Sequence, residues 1–236
     1  MTWVDAAADL LLGASCPGCG SPGWGICTSC RAVLAAVAPY EVVRGVDSFP
    51  PASSAMVYDG PVRRLVAAHK ERHARGATSA LGELLAAAVA HRRPHGPLTL
   101  VPVPSTRRAV RERGYDSVRL LADSAAHELR RDGRSVQVVP ALRHVRRLAD
   151  QASLDTTARW ENLRGAMAAA RLEGQVVVVD DVCTTGATLS EACRALLAAG
   201  AESCAAATVS ATVLRRVRTC RSAGPAAAGP ADLTDT

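Results

Sequence analysis

The chain has 236 residues, a formal net charge of +6 and a pI of about 9.1, enough length for one α/β domain of moderate size plus a small extra module. The basic balance favours polyanions, whether phosphorylated small molecules or nucleic acid. Aromatic residues make up only 3 %, which excludes a stacking platform for single-stranded nucleic acid, and no apolar run approaches the ~20 residues of a membrane span.

Residues 3–12 predict a short amphipathic helix, because Asp5 and Asp9 interrupt the apolar pattern and no basic n-region precedes it, unlike a signal peptide. Cys16, Cys19, Cys27 and Cys30 then form C-x2-C-x7-C-x2-C, two knuckles that suit one structural zinc ion. Gly18, Gly20, Pro22, Gly23 and Gly25 between them are turn material, so a loop this short needs the metal to fold. Two disulfides are the competing reading, but nothing points to export. Cys183, Cys193, Cys204 and Cys220 show no pairing pattern, as expected in a reducing cytoplasm. A helix or turn runs on to about Ala36.

A Pro- and Ser-containing connector near 48–54 leads into a strand at Ala55–Tyr58. Helices follow from about Pro61 to Lys70 and from Leu81 to His91, then a strand over 98–103. A helix is expected from about Gly114 to Arg131, with Tyr115, Val118, Leu121, Ala122, Ala125 and Leu129 on one face. Val136–Val139 reads as a strand, 155–163 as a helix, and 176–179 and 204–211 as further strands. Strands alternating with helices argue for an α/β fold with a mostly parallel sheet flanked by helices. The Ala/Gly/Pro-rich stretch from about 219 reads as a disordered tail. The implied organisation is an N-terminal helix and four-cysteine module over 1–50, an α/β domain over 51–214 and a tail over 215–236.

Residues 176–189, VVVVDDVCTTGATL, say most about function. Four consecutive valines make a strand buried on both faces. Asp180 and Asp181 stand at its carboxyl end. Thr184, Thr185, Gly186, Ala187 and Thr188 then enter a helix, whose orphan amides and dipole favour an anion. Two carboxylates would repel a naked phosphate, yet they suit sugar hydroxyls as acceptors. The ligand implied has a 5′-phosphate at one end and vicinal ribose hydroxyls at the other. No GK[ST] or GxGxxG pattern follows a strand, which excludes a P-loop and a dinucleotide fold.

A second anion-binding stretch follows the strand at 98–103, where Ser105, Thr106, Arg107, Arg108, Arg111 and Arg113 cluster; Arg107 and Arg113 are the favoured pair. From 107 to 147 there are eleven arginines against five acids. Lys70 is the only lysine among 28 basic residues, a compact charge suited to reaching a phosphate. His69 and His73 read as solvated helix positions. No helix-turn-helix is evident.

The motif VVVVDDVCTTGATL resembles the signature of type I phosphoribosyltransferases, which bind phosphoribosyl pyrophosphate (PRPP). With CPGC, CTSC, YDGPVRRLVAAHK, VPVPSTRRAVRERGYD and QASLDTTARWENLRGAM in the same order, residues 5–212 resemble the ComF family of competence-associated, phosphoribosyltransferase-like proteins. Asp116 stands where the family usually has Asn, Leu148 where it has Thr, and Met167 where it has Phe. The resemblance implies a type I phosphoribosyltransferase-like domain behind a zinc module. Asp180 and Asp181 would hold the ribose hydroxyls and residues 184–188 the 5′-phosphate, while Arg107, Arg113 and Lys70 would meet the pyrophosphate. It further implies Mg²⁺ with PRPP and displacement of pyrophosphate by a nitrogen nucleophile. The same resemblance implies a part in handling imported DNA, for which single-stranded DNA or a DNA-uptake helicase is the expected partner. A non-catalytic adaptor that binds either of these is the alternative.

Overall fold

A computed structural model describes residues 15–71, 75–146 and 156–213. Its elements in chain order are α1 (Thr28–Ala35), β1 (Tyr40–Val42), β2 (Ala52–Val57), α2 (Gly60–Glu71), α3 (Arg75–His91) and β3 (Leu98–Pro102). After these come α4 (Arg107–Arg113), α5 (Ser117–Arg131), β4 (Val136–Val138), β5 (Leu142–His144), α6 (Thr156–Leu163), β6 (Met167–Ala169), β7 (Gln175–Cys183), α7 (Ala187–Ala198) and β8 (Ser203–Ala211).

Six strands form one sheet in the order β1-β2-β8-β7-β3-β4. Only the edge strand β1 runs antiparallel; the pairs β2–β8, β8–β7, β7–β3 and β3–β4 are all parallel. The expected mostly parallel sheet is therefore present. Val176 to Val179 lie at its centre, each 3 % exposed or less. Their alternation explains the unbroken valine run: Val177 and Val179 enter the core shared with α2, α3 and α5, while Val176 and Val178 enter the core under α7. The three consecutive alanines Ala205, Ala206 and Ala207 of β8 add little bulk to either face. Cys16, Ile26, Cys30 and Leu34 join the first of these cores, so the cysteine module is packed onto the sheet's helical layer.

Topology positions a site. From β3 the chain moves outward to β4, whereas from β7 it moves the other way to β8. The two crossovers diverge between β3 and β7, which leaves a crevice at their carboxyl ends, the place where open α/β sheets bind ligands.

Several sequence expectations change. The supposed connector at 48–54 is half strand: β2 starts at Ala52, and Ser53 and Ser54 are fully buried. Both hydroxyls are satisfied by carbonyls, Ser53 Oγ donating to Ala88 O at 2.7 Å and Ser54 Oγ to Met56 O at 3.1 Å, so polar residues sit in a core strand. The expected helix from Gly114 starts only at Ser117, because Gly114 has φ 80° and ends the separate helix α4. The strand taken to stop at Val179 continues through both acids to Cys183, paired throughout with β8. Strand β1 and the antiparallel β5–β6 pair carry too short a pattern to announce themselves. The helix expected at 3–12, His73, Leu148, Cys220 and the tail lie outside the described residues.

Candidate functional site

The cysteine cluster stands at the edge of the molecule's first core. All four sulfurs of Cys16, Cys19, Cys27 and Cys30 lie within 4.8 Å of one another, with Cys19 Sγ and Cys27 Sγ 3.5 Å apart. Zn–S bonds of about 2.3 Å arranged tetrahedrally place sulfurs roughly 3.8 Å apart, so the cluster fits one zinc ion with no open position. Backbone amides already face the sulfurs, Cys27 N donating to Cys16 Sγ at 3.3 Å and Cys30 N to Cys27 Sγ at 3.5 Å. Hydrogen bonds from Ser21 hold the exposed Cys19 thiol down at about 6, whereas burial pushes Cys30 up. A Cβ on Gly18 would come within 2.9 Å of Cys30 Sγ, which explains a glycine in the first knuckle. Arg64 of α2 donates to Gly18 O and so ties the cluster to the helix that carries Lys70.

At the crevice, alternation along β7 sends Asp180 and Asp181 to opposite faces. Asp181 is 4 % exposed and pairs with Lys70 Nζ at 2.6 Å. Burial disfavours the Lys70 ammonium, but Asp181 beside it outweighs that and the pKa rises. Asp180 turns back to accept from Asp181 N at 2.8 Å. Burial first, and then the Asp181 charge, push its carboxyl up to about 8. Two adjacent acids thus share one resident cation, with one of them holding a proton near neutral pH.

Arg113 lies close enough to Lys70 and His69 for its charge to act against protonation of each, and its Nη1 reaches Ser117 Oγ at 3.4 Å. The structure therefore gathers Lys70, Arg113, Asp180 and Asp181. Arg107 is exposed in the first turn of α4, next to the Thr106 cap. Asp116 has a definite task as N-cap of α5: its Oδ1 accepts from Val118 N, Arg119 N and Ser105 Oγ at 3.1, 3.2 and 2.8 Å. Asn and Asp cap equally well, so the departure from the usual Asn preserves the helix start while adding a charge felt at Asp180.

Thr184 to Gly186 form the turn between β7 and α7. Gly186, at φ 87°, is the N-cap of α7, and Ala187 N donates to Thr185 Oγ1 at 3.4 Å. Its glycine is required twice, by the left-handed backbone and because a Cβ would lie 2.5 Å from Phe49 Cε2. Thr188 sits in the first turn of α7.

Residues 121–221 match the phosphoribosyl transferase domain family. The DNA utilization protein YhgH of Salmonella typhi is 32 % identical over 194 residues, covering 79 % of each chain. The protein of the same name from Salmonella typhimurium matches equally. The chain belongs to the ComF family. A more distant likeness, to the crystal structure of TT1426 from Thermus thermophilus, has 20 % identity and a TM-score of 0.32 over 57 % of this chain and 81 % of that one.

Two features of this ComF-family site escape the sequence. His69, expected to be solvated, is 1 % exposed. Its Nε2–H must donate to Ser117 O and its Nδ1 accept from Thr78 Oγ1, both at 2.9 Å, while Tyr115 OH donates to the His69 carbonyl. Burial lowers its pKa, so it is a neutral strut joining α2, α3 and α5 beside Lys70. Its place one residue before the lone lysine was the available signal. Arg44 is the other: it reaches the 183–184 turn from a segment 140 residues away, which no local pattern can reveal.

Proposed function

We propose that the protein binds PRPP, or a related ribose 5-phosphate or nucleotide, at the β3–β7 crevice, and that it transfers the phosphoribosyl group to a nitrogen acceptor. What carries this reading is the acid pair beside a Thr-Thr-Gly turn at the switch point, with Lys70 and Arg113 next to it. Asp180 and Asp181 address the ribose 2′- and 3′-hydroxyls, and residues 184–188 address the 5′-phosphate with backbone amides and the α7 dipole. Lys70 and Arg113 neutralise the pyrophosphate, and Arg107 at the exposed end of the same stretch screens its outer oxygens. The bond from ribose C1 to pyrophosphate oxygen breaks as the acceptor nitrogen bonds to C1, and the departing pair of electrons stays on pyrophosphate. Mg²⁺ arriving with PRPP would be held by the substrate's own oxygens beside Asp180 and Asp181 and would supply charge neutralisation. The chain's own contribution is positioning and electrostatic stabilisation.

The raised pKa of Asp180 supports the sugar assignment, since a carboxyl that holds its proton can donate to a ribose oxygen as well as accept. Structural zinc at the four cysteines completes the module, which we divide from the transferase-like domain at about residue 50, with that domain ending near 214 ahead of a tail. The relatives' name favours a second reading in DNA utilisation, in which the basic face holds single-stranded DNA or a helicase and the chain works as an adaptor in the cytoplasm of a competent cell. Turnover of radiolabelled PRPP over a panel of nitrogen bases, run beside a salt titration of DNA binding, separates the two. Turnover that Arg113→Ala lowers supports the enzyme, because a contact that strengthens as pyrophosphate leaves acts on rate as well as affinity. DNA affinity falling steeply with salt, with no turnover for any base, supports the adaptor.

A further inference from the structure

Arg44 lies between β1 and β2 and is 9 % exposed. The partners of its guanidinium are four carbonyl oxygens and a thiol. Its Nε donates to Thr184 O at 3.1 Å, its Nη2 to Cys183 O at 3.2 Å and to Thr212 O at 3.0 Å, and its Nη1 to Val43 O at 3.2 Å. Cys183 Sγ lies 3.5 Å from Nη2. Thr212 reinforces the same two carbonyls, its N donating to Cys183 O at 2.9 Å and its Oγ1 to Thr184 O at 3.2 Å. In a trans peptide the C=O and N–H of one unit point in opposite directions. Holding the carbonyls of Cys183 and Thr184 against Arg44 and the end of β8 therefore turns the N–H groups of Thr184 and Thr185 the other way, toward β3 and the crevice. Arg44 also places a permanent positive charge behind the turn. Phe49, from the same segment, closes the back of Gly186, where no Cβ fits.

We propose that Arg44 is a positioning residue for the anion-binding turn: it aims the Thr184 and Thr185 amides at the ligand's phosphate. The inference rests on reading residues 184–188 as the 5′-phosphate loop. A planar fork is needed for this, since one group must hold several carbonyls in fixed directions, which an ammonium cannot do.

The test uses the full chain with its metal. Ribose 5-phosphate affinity is measured by calorimetry for wild type, Arg44→Gln, Arg44→Lys and Phe49→Leu, and the ¹⁵N-amide signals of Thr184 and Thr185 are followed as inorganic phosphate is added. Arg44→Gln is expected to lose about tenfold in affinity, the loss from about 1.4 kcal/mol of misdirected hydrogen bonding. Arg44→Lys, which keeps the charge without the fork, should recover only part. Phosphate should shift both amide signals in the wild type and leave them nearly unmoved in Arg44→Gln; a purely structural role would lower the melting temperature with the shifts intact. Guanidinium ion added to Arg44→Ala should restore part of the binding. Should Arg44→Gln fail to fold, Arg44→Lys and Phe49→Leu carry the same comparison. If the wild type binds ribose 5-phosphate and the folded variants bind it within twofold, the inference about Arg44 is overturned. If the wild type binds no ribose phosphate at all, it is the loop assignment that fails.

Discussion

At the scale of single residues, the acid pair is held under tension by its own surroundings. Asp180 keeps its proton up to about 8 in the folded chain, against a reference value of 3.8. Between these values the folded state binds a proton that the unfolded chain has released, so this group's contribution to stability falls as pH rises from about 4 to 8 and is level beyond. The stability of Asp180→Asn relative to wild type should therefore grow across that window and favour the variant at pH 8. Urea denaturation at pH 5, 6.5 and 8 measures it; an identical gap at all three would refute the assignment. Asp181 depends on Lys70 in turn. Lys70→Met leaves a carboxylate with 4 % exposure without its cation and should cost about 1–3 kcal/mol, less than for a fully buried pair because Lys70 itself is 32 % exposed. Adding Asp181→Asn should return most of that loss, and simple additivity in the double variant would show that the pair is not coupled.

At the scale of elements, the helices are held by close approaches that propensity does not describe. Gly82 lies inside α3, where Gly→Ala ordinarily stabilises a helix by roughly 0.5–1 kcal/mol. Here a Cβ would stand 2.1 Å from Ser124 Oγ and 2.6 Å from Ser124 Cβ on α5. Gly82→Ala should accordingly destabilise by about 1–3 kcal/mol through overpacking. A rise in melting temperature would show that the two helices separate without penalty. The periodic elements were legible where they bury a full face: Val118, Leu121, Ala122, Ala125 and Leu129 of α5 are all buried as their spacing requires. Short or polar elements were not. Ser53 and Ser54 look like a linker, since a hydroxyl that bonds a core carbonyl is indistinguishable in sequence from a solvated one. The break between α4 and α5 turns on Gly114 in a left-handed conformation, and an Arg-rich helix of seven residues has no apolar stripe to mark it.

For the whole molecule, sequence order and space part company, and this decides which site residues could be read. Asp180 to Thr188 are contiguous, so one motif exposes strand, acids, turn and helix together. Lys70 meets Asp181 because α2 and the face of β7 that carries Val177, Val179 and Asp181 share one core, and Arg44 reaches the turn from the segment that follows the edge strand β1. The cysteine module is bound into the same network through Arg64 and Gly18 and through Cys16, Cys30 and Leu34 in the core. Cys27→Ser should then lower the stability of the whole chain and weaken ligand binding at the Lys70 end, as read by melting temperature and calorimetry. Unfolding confined to the first 50 residues, with the rest unchanged, would show the module to be independent. As proposed, the β3–β7 crevice takes a sugar phosphate by its ribose as well as its phosphate. Calorimetry of PRPP with Mg²⁺ and of inorganic phosphate, on wild type and on Asp180→Asn and Asp181→Asn, tests it most directly. The wild type should bind PRPP, and each variant should lose tenfold or more of that affinity while its weak affinity for inorganic phosphate stays within about threefold. A folded wild type that binds no ribose phosphate, or variants that lose both ligands equally, would contradict it.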